Sequence, residues 1–252
     1  VQPKKGKKLS EREHVVVRPD MFIGTCSAQD AEVWLMEETI FEDEEGNEIK
    51  KPENKIVKKV FENYNQGFSR IHIENFSNII DNKWESEKMG VKMTTVKVSF
   101  TEDTFCTEND GRWIPVELQE FEDVDPVTKK PVTRNVYPVE VFFTELRTGT
   151  NYDDEEDRKT SGRNGVGIVT LTYFCKVIKV TCFDPKNKKS ITLVVKNNGA
   201  DIELIGPEKY TGKTGKTILE ATPDFERFGM TEYTENFINY FKKHVYDMAM
   251  VT

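Results

Sequence analysis

Two segments of the chain carry apolar residues at a spacing close to one helical turn. The first spans residues 67–88, contains no proline and predicts a helix, because positions three and four apart share one helix face. Its apolar positions are Phe68, Ile71, Phe76, Ile79 and Ile80. Residues 231–250 repeat the pattern and predict a second amphipathic helix.

Shorter apolar segments bounded by turn residues predict β-strands. Residues 33–40 and the segment from 49 onward flank an acidic turn at 42–47, which predicts a hairpin. Further strands are predicted at 91–100, 104–107, 177–183, 191–195, 202–205 and 216–221. The polar stretch 117–135 is predicted to be a surface excursion. Because no internal repeat and no linker is visible, the pattern predicts one α+β domain.

Composition favours a globular protein with strongly solvated loops. Of 252 residues, 37% are hydrophobic and 32% are charged, and no apolar run approaches the roughly 18 residues of a membrane-spanning helix. No signal peptide is visible at the basic start of the sequence. The net charge of −8 argues against a domain whose whole surface grips DNA, so we expect any DNA contact to be local or to lie elsewhere.

Cysteine and histidine usage favours free thiols over metal or disulfide chemistry. The four cysteines are Cys26, Cys106, Cys175 and Cys182. They include no CxxC pair, and the three histidines do not cluster with them. We therefore expect largely buried free thiols in a reducing compartment rather than zinc sites or disulfides.

One polar run places several side chains on a single face of the first predicted helix. Glu74, Asn78, Asp81 and Asn82 are spaced at i, i+4, i+7 and i+8. An asparagine oxygen can bind Mg²⁺ and its amide group can donate to phosphate, whereas a glutamate can accept a proton from an attacking water. The alternative is a solvated helix face without a site.

A second run, Asn109-Asp110-Gly111, ends a predicted strand. Asp110 can accept a hydrogen bond from the exocyclic amine of adenine, and Gly111 would let the base approach the backbone. The alternative for an isolated run of this kind is a plain turn.

A third run, Gly162 to Gly167, contains three glycines in six residues, so its backbone amides can approach an anion. Arg163 and Asn164 flank those amides, and a helix that begins at Gly167 would add its positive dipole end. The alternative is a plain glycine loop. Taken together, the three runs predict a site for a nucleoside triphosphate.

Flanking motifs accompany the three runs. They lie at residues 8–14, 18–24, 148–154, 223–230 and 245–247. With these motifs, nearly the whole chain resembles the ATPase region of eukaryotic-type type II DNA topoisomerases. That region belongs to the superfamily that also contains gyrase, a heat-shock chaperone, histidine kinases and MutL.

The resemblance implies a fold and a set of roles. The fold is a two-layer Bergerat-type sandwich, in which a mixed β-sheet lies under helices and ATP binds with Mg²⁺ between the helix layer and a lid. Glu74 would be the general base, Asn78 the Mg²⁺ ligand and Asp110 the residue that contacts adenine. The other implied nucleotide-binding positions are Asp81, Asn82, Gly111, Thr148, Thr150, Asn151, Arg163, Asn164, Gly165, Val166 and Gly167.

The resemblance also implies an organisation and partners. Residues 1–30 would form an N-terminal strap and residues 31–252 the ATPase domain, with the neighbouring transducer domain absent, so we expect a fragment. In the longer protein, ATP would close a homodimer through the strap as a gate on DNA, and DNA would be contacted mainly outside this domain. We expect no membrane partner, and a location in the nucleus or, for a viral protein, in the host cytoplasm.

Four positions depart from the family pattern. They are Trp113 in place of a second glycine, Val169 in place of a lysine, Glu85 in place of an arginine and Gly6 in place of the strap tyrosine. The alternative to an ATP-hydrolysing domain is therefore a domain that keeps the fold, binds nucleotide weakly or not at all, and serves as a scaffold or dimerisation module. A chaperone or mismatch-repair ATPase is a more remote alternative, which the strap and residues 150–154 disfavour.

Overall fold

Helices pack on one face of a six-stranded sheet and share a single hydrophobic core with it. A computed structural model describes residues 9–42, 45–46, 48–125, 128, 130–146 and 167–252. Across this part of the chain, the α+β class and the two-layer arrangement expected from the sequence are confirmed.

The helices begin at residues whose side chains explain the boundaries. In the described part of the chain they are α1 (Glu11–Val17), α2 (Gln66–Lys88), α3 (Pro138–Thr144), α4 (Gly167–Tyr173) and α5 (Glu235–Val251). The side-chain oxygens of Ser10, Asn65 and Thr234 accept hydrogen bonds from backbone amides in the first turns of α1, α2 and α5. The two helices predicted from apolar periodicity are therefore confirmed as α2 and α5.

The strands form one large sheet and two hairpins. They are β1 (Gln29–Glu42), β2 (Glu48–Tyr64), β3 (Val96–Phe100), β4 (Phe105–Asn109), β5 (Gln119–Val124), β6 (Pro131–Val136), β7 (Cys175–Asp184), β8 (Lys189–Lys196), β9 (Asp201–Lys209) and β10 (Lys216–Pro223). The predicted β1–β2 hairpin is confirmed. The large sheet has the order β3-β4-β10-β7-β8-β9.

The large sheet corrects one detail of the expected fold. Every strand pair in the described residues is antiparallel, whereas the resemblance implied a mixed sheet. The reason lies in the connections: β3–β4, β7–β8 and β8–β9 are joined by short turns, and a short turn can only join antiparallel neighbours. β10 then runs between β4 and β7 in the direction opposite to both.

The surface excursion predicted at residues 117–135 is largely exposed over its described residues, which include β5 and most of β6, paired as a hairpin. Most positions of both strands are exposed, so no alternation of apolar and polar residues marks them in the sequence. Arg134 anchors the hairpin by pairing with Asp123 at 3.2 Å and with Glu145, which follows α3. Its guanidinium also lies 5.2 Å from the ring centre of Phe121. The β5–β6 ladder forms the hairpin, and the ion pairs of Arg134 tie it to the residue after α3.

The inward face of the large sheet contributes to the core. Thr107, Leu219, Val180 and Leu193 are neighbours in one row across four strands, and all four are buried. Because alternate residues of a strand face the same side, this row fixes which residues of β4 and β10 point toward α2.

All four cysteines are free thiols.

An aromatic cluster in the core encloses His72. Its Nδ1 lies 2.8 Å from the carbonyl oxygen of Phe68, and its Nε2 lies 2.6 Å from the hydroxyl of Tyr233. Since a carbonyl oxygen can only accept, the neutral ring donates from Nδ1 and accepts at Nε2. Phe241 stacks on the ring at a centroid distance of 4.4 Å. Burial lowers the pKa of His72 to about 3, and the hydrogen bond to Phe68 only partly opposes that shift.

We expect His72 to make the fold sensitive to acid. Unfolded histidine has a pKa near 6.5, so the unfolded chain binds a proton that the folded ring does not, and stability falls as the pH drops from about 6.5 toward 3. Between pH 7 and pH 5, this group should lower the free energy of unfolding by about 2 kcal/mol, measured by denaturant titration at each pH. The double variant His72→Phe/Tyr233→Phe should lose that part of the pH dependence, and an unchanged dependence would count against the explanation.

The N-terminal arm packs on the domain over its described residues, 9–28. Val15 of α1 is fully buried. The Arg12 guanidinium donates to the carbonyl oxygen of Asn198 at 3.2 Å, and the Arg227 guanidinium donates to the carbonyl oxygen of Val16 at 2.9 Å. In this chain α1 therefore lies against α4 and the turn that follows β8.

Candidate functional site

The polar face predicted on α2 is present in the structure. Glu74, Asp81 and Asn82 are half-buried and Asn78 is exposed, whereas Ile79 faces the core. These polar side chains therefore lie along the border of the core, where the neighbouring loops can reach them.

Glu74 lies beside the first residue of α4. Its carboxylate pairs with Arg70, one turn earlier on α2, and 19% of its side chain stays exposed, so water can reach it. A β-carbon on Gly167 would overlap Glu74 Oε2, so glycine lets the carboxylate keep this position. The structure thus brings the first run to Gly167, the one residue of the third run that it describes.

Asn82 joins α2 to the end of β4. Its Nδ2 donates to Asn109 Oδ1 at 2.7 Å, and the Ser86 hydroxyl donates to the carbonyl oxygen of Asn82 at 2.5 Å. A β-carbon on Gly111 would lie 2.7 Å from Ser86 Oγ and 3.0 Å from Asn82 Nδ2. Gly111 therefore permits the close approach by which the second run meets the first.

The segment before β3 engages both carboxylate oxygens of Asp110. Oδ1 accepts hydrogen bonds from the backbone amides of Thr94 and Thr95, each at 2.8 Å, and Oδ2 accepts one from the Thr94 hydroxyl at 2.5 Å. Partial burial alone would raise the pKa of Asp110, but these hydrogen bonds stabilise the ionised form and hold the pKa below its ordinary value. Asp110 is therefore held as a hydrogen-bond acceptor at one end of the site.

Sequence patterns missed three residues that complete this arrangement. Arg70 had a usable signal, because it precedes Glu74 by four residues on the same predicted helix. Thr94 had none, because only the tertiary fold brings it to the second run. Thr217 pairs with Asn109 across β10 and β4 and, by strand alternation, faces α2.

Comparisons with known proteins place this geometry in a family. No protein-family model matches the chain. It is 32% identical over 246 residues to DNA topoisomerase 2 of Invertebrate iridescent virus 6, and 31% identical over 245 residues to DNA topoisomerase 2 of Plasmodium falciparum. Each match covers 96% of this chain but only 20% and 16% of those relatives, so the chain spans about a fifth of their length or less.

A solved structure shares the fold. The chain matches the ATPase region of Saccharomyces cerevisiae topoisomerase II with a TM-score of 0.70 and 26% identity, over 96% of this chain and 57% of that one. The chain is a homologue of the ATPase region of type II DNA topoisomerases. The resemblance drawn from the motifs is therefore confirmed.

Two departures from the type II topoisomerase pattern fit their surroundings. Glu85 pairs with Lys88 at 2.8 Å and with Arg112 at 3.7 Å, so two nearby cations offset its negative charge. Val169 is only 1% exposed, and its side chain therefore faces the core rather than the solvent. An apolar residue suits that position in this chain.

A third departure, Trp113, lies two residues after the second run. Trp113 lies against Gly215, where a β-carbon would come within 2.6 Å of the indole Cδ2. The indole thus packs on the loop before β10, and the glycine of that loop is what allows it. This contact explains why a bulky residue is tolerated where the topoisomerase pattern has glycine.

Part of the topoisomerase-like site falls outside the described residues. The positions concerned are Gly6, Thr148, Thr150, Asn151, Arg163, Asn164, Gly165 and Val166. Among the residues that the structure does describe, no three His, Cys, Asp or Glu side chains are grouped to hold a metal ion. No helix in the same ranges is both long enough and apolar enough to cross a membrane.

Proposed function

We propose that this chain binds ATP with Mg²⁺ and hydrolyses it, as the ATPase domain of a type II DNA topoisomerase. The observation that carries the proposal is the position of α2 between the second run and Gly167, where the third run ends. Glu74 contacts Gly167, and Asn82 contacts Asn109 and Gly111. At about 1.5 Å per residue, the two contact points on α2 are about 12 Å apart. A nucleotide along α2 would therefore have its base near the second run and its phosphates near the third.

Asp110 is the proposed contact for adenine. Its carboxylate is ionised and fixed, so it can accept a hydrogen bond from the exocyclic amine. Residues 148–151 and 163–166 are proposed to contact the ribose and the phosphates, as the family relation suggests. Asp81 is proposed to face the same nucleotide from the middle of α2.

Glu74 is the proposed general base. Its carboxylate accepts a proton from a water molecule, whose oxygen bonds to the γ-phosphorus while the bond to the β,γ-bridging oxygen breaks and ADP leaves. The ion pair with Arg70 and the contact with Gly167 restrict where the carboxylate can lie. Such positioning matters because phosphoryl transfer depends on alignment more than on covalent chemistry.

Asn78 fits the role of a Mg²⁺ ligand. Its Nδ2 donates to the carbonyl oxygen of Glu74 at 2.6 Å, which fixes the side chain and leaves the amide oxygen for a cation. Mg²⁺ in nucleotide sites commonly takes one or two protein ligands and fills its shell with phosphate oxygens and water, so one amide oxygen is enough. The ion would supply positive charge to the phosphates.

The wider function is proposed from the family relation. Residues 1–30 would act as the strap of a homodimer and residues 31–252 as the ATPase domain, with a transducer domain in the longer protein. That protein would pass DNA strands through an ATP-closed gate, contact DNA mainly outside this domain, and work in the nucleus or in the cytoplasm of a virus-infected host.

Thermal unfolding with a nonhydrolysable ATP analogue tests nucleotide binding. A ligand that binds only the folded state raises stability by about 2.7 kcal/mol at a hundredfold excess over its Kd. We expect a rise in melting temperature that depends on Mg²⁺ and shrinks in Asn78→Ala. No shift at millimolar nucleotide would favour the alternative, a domain that keeps the fold without a working nucleotide site.

A further inference from the structure

We infer that Thr94 is a positioning residue that sets the preference of this site for a base with an exocyclic amine. The inference rests on the proposed function, because it concerns the base of the nucleotide proposed to bind at Asp110. Thr94 acts through Asp110 and has no assigned contact with the nucleotide itself.

Hydrogen bonds from other described residues leave Asp110 one acceptor position. A carboxylate offers about four acceptor positions, two on each oxygen. On Oδ1 both are filled by the backbone amides of Thr94 and Thr95, and on Oδ2 one is filled by the Thr94 hydroxyl. The remaining position lies on Oδ2, the atom that the Thr94 hydroxyl holds. That hydroxyl therefore determines where the last acceptor points.

The two neighbours of Thr94 in the chain, Met93 and Thr95, both contact the second run. The amide of Asp110 donates back to the carbonyl oxygen of Thr95 at 3.3 Å. Met93 is buried, and a β-carbon on Gly111 would lie 2.5 Å from its terminal methyl carbon. Residues 93–95 and 109–111 are thus bound to each other, and we call these two segments the clasp. The Thr94 side chain is exposed, but its backbone is fixed.

The chemistry of the clasp selects for a donor. An ionised carboxylate can only accept hydrogen bonds, so it pairs with the amine of adenine and gains nothing from a purine that lacks it. Without the Thr94 hydroxyl, only the two amides on Oδ1 hold the carboxylate, so its plane can tilt, Oδ2 shifts and the bond to the amine weakens. Affinity for a purine without the amine should not change, because no bond to Oδ2 is formed in that case.

Calorimetric Kd values for ADP and for purine riboside 5′-diphosphate, which lacks only the exocyclic amine, test the inference. Neither diphosphate offers a γ-phosphate for hydrolysis. A hydrogen bond to a charged group typically corresponds to about tenfold or more in affinity, so the unsubstituted chain should prefer ADP by about that factor. In Thr94→Val, ADP binding should weaken and the preference should fall to about twofold or less, with the affinity for the analogue unchanged.

Two variants serve as matched controls. Thr94→Ser keeps the hydroxyl and should restore the preference, which a merely structural role for the methyl group would not produce. Thr95→Val should leave the preference unchanged, since Thr95 contacts Asp110 through its backbone amide and carbonyl groups. Because Thr94 is exposed, Thr94→Val should fold, and Thr94→Ala should reproduce its effect.

The outcomes separate this inference from the proposed function. A full preference for ADP in Thr94→Val, or equal affinity of the unsubstituted chain for both diphosphates, would overturn the role of Thr94 while leaving nucleotide binding intact. If the unsubstituted chain bound neither diphosphate at millimolar concentration, the proposed function would fail and this inference with it.

Discussion

Replacing Glu74 with glutamine is expected to lower ATP turnover by roughly 10²- to 10⁴-fold, the range supplied by a positioned general base. Glutamine keeps the size of the side chain but cannot take a proton from water. The lost ion pair with Arg70 should cost little stability, because pairs four residues apart on a helix contribute only about 0.3–0.5 kcal/mol. Steady-state phosphate release measures the effect, and the Kd for ADP should stay within a few-fold of its original value.

Glu87→Gln is the matched control. Glu87 lies on the same helix and also pairs with a cation four residues earlier, Lys83, at 2.7 Å. The Glu87→Gln variant should lose a comparable ion pair and keep the turnover of the unsubstituted chain. Equal losses in Glu74→Gln and Glu87→Gln, or none in either, would rule out Glu74 as the base.

Replacing Gly167 with alanine is expected to lower turnover by about 100-fold with little change in stability. The added β-carbon would overlap Glu74 Oε2 and lie 3.1 Å from Glu74 Cδ, and both atoms belong to the movable end of a side chain. The carboxylate can swing away at small cost, and because Gly167 is the first residue of α4, the change in helix propensity should also be small. A displacement of about 1 Å at a reacting group is enough for a loss of about 10². Turnover and urea unfolding of the same variant measure the two effects separately.

A double-mutant cycle shows whether the effect acts through Glu74. In Glu74→Ala the overlapping atoms are gone, so adding Gly167→Ala should reduce turnover no further. Losses that multiply in the double variant would mean that Gly167 acts by another route, such as the loop before it.

The fold could be predicted where burial leaves a periodic pattern. α2 has apolar residues at helical spacing because one side of it enters the core, and its limits were foreseen to within a residue. The β5–β6 hairpin left no such pattern, because both of its strands are largely exposed. The antiparallel order of the large sheet depends on where β10 inserts, and no local pattern encodes that position.

The candidate site divides in the same way. The polar face that begins at Glu74 and ends at Asn82 follows from helix geometry alone, and the structure bears out the shared face. The contact of Glu74 with Gly167 could not be derived, since it depends on how α4 packs beside α2. The clasp on Asp110 was hidden for a similar reason, because Thr94 is sixteen positions away and lies outside any regular element.

Calorimetric titration of the chain with a nonhydrolysable ATP analogue and Mg²⁺ tests the central claim most directly. The claim is that the three runs form one working nucleotide site despite Glu85, Trp113 and Val169. We predict a saturable heat with one nucleotide bound per chain. No binding heat at millimolar nucleotide would contradict the claim and leave a topoisomerase-like domain that keeps the fold without the site.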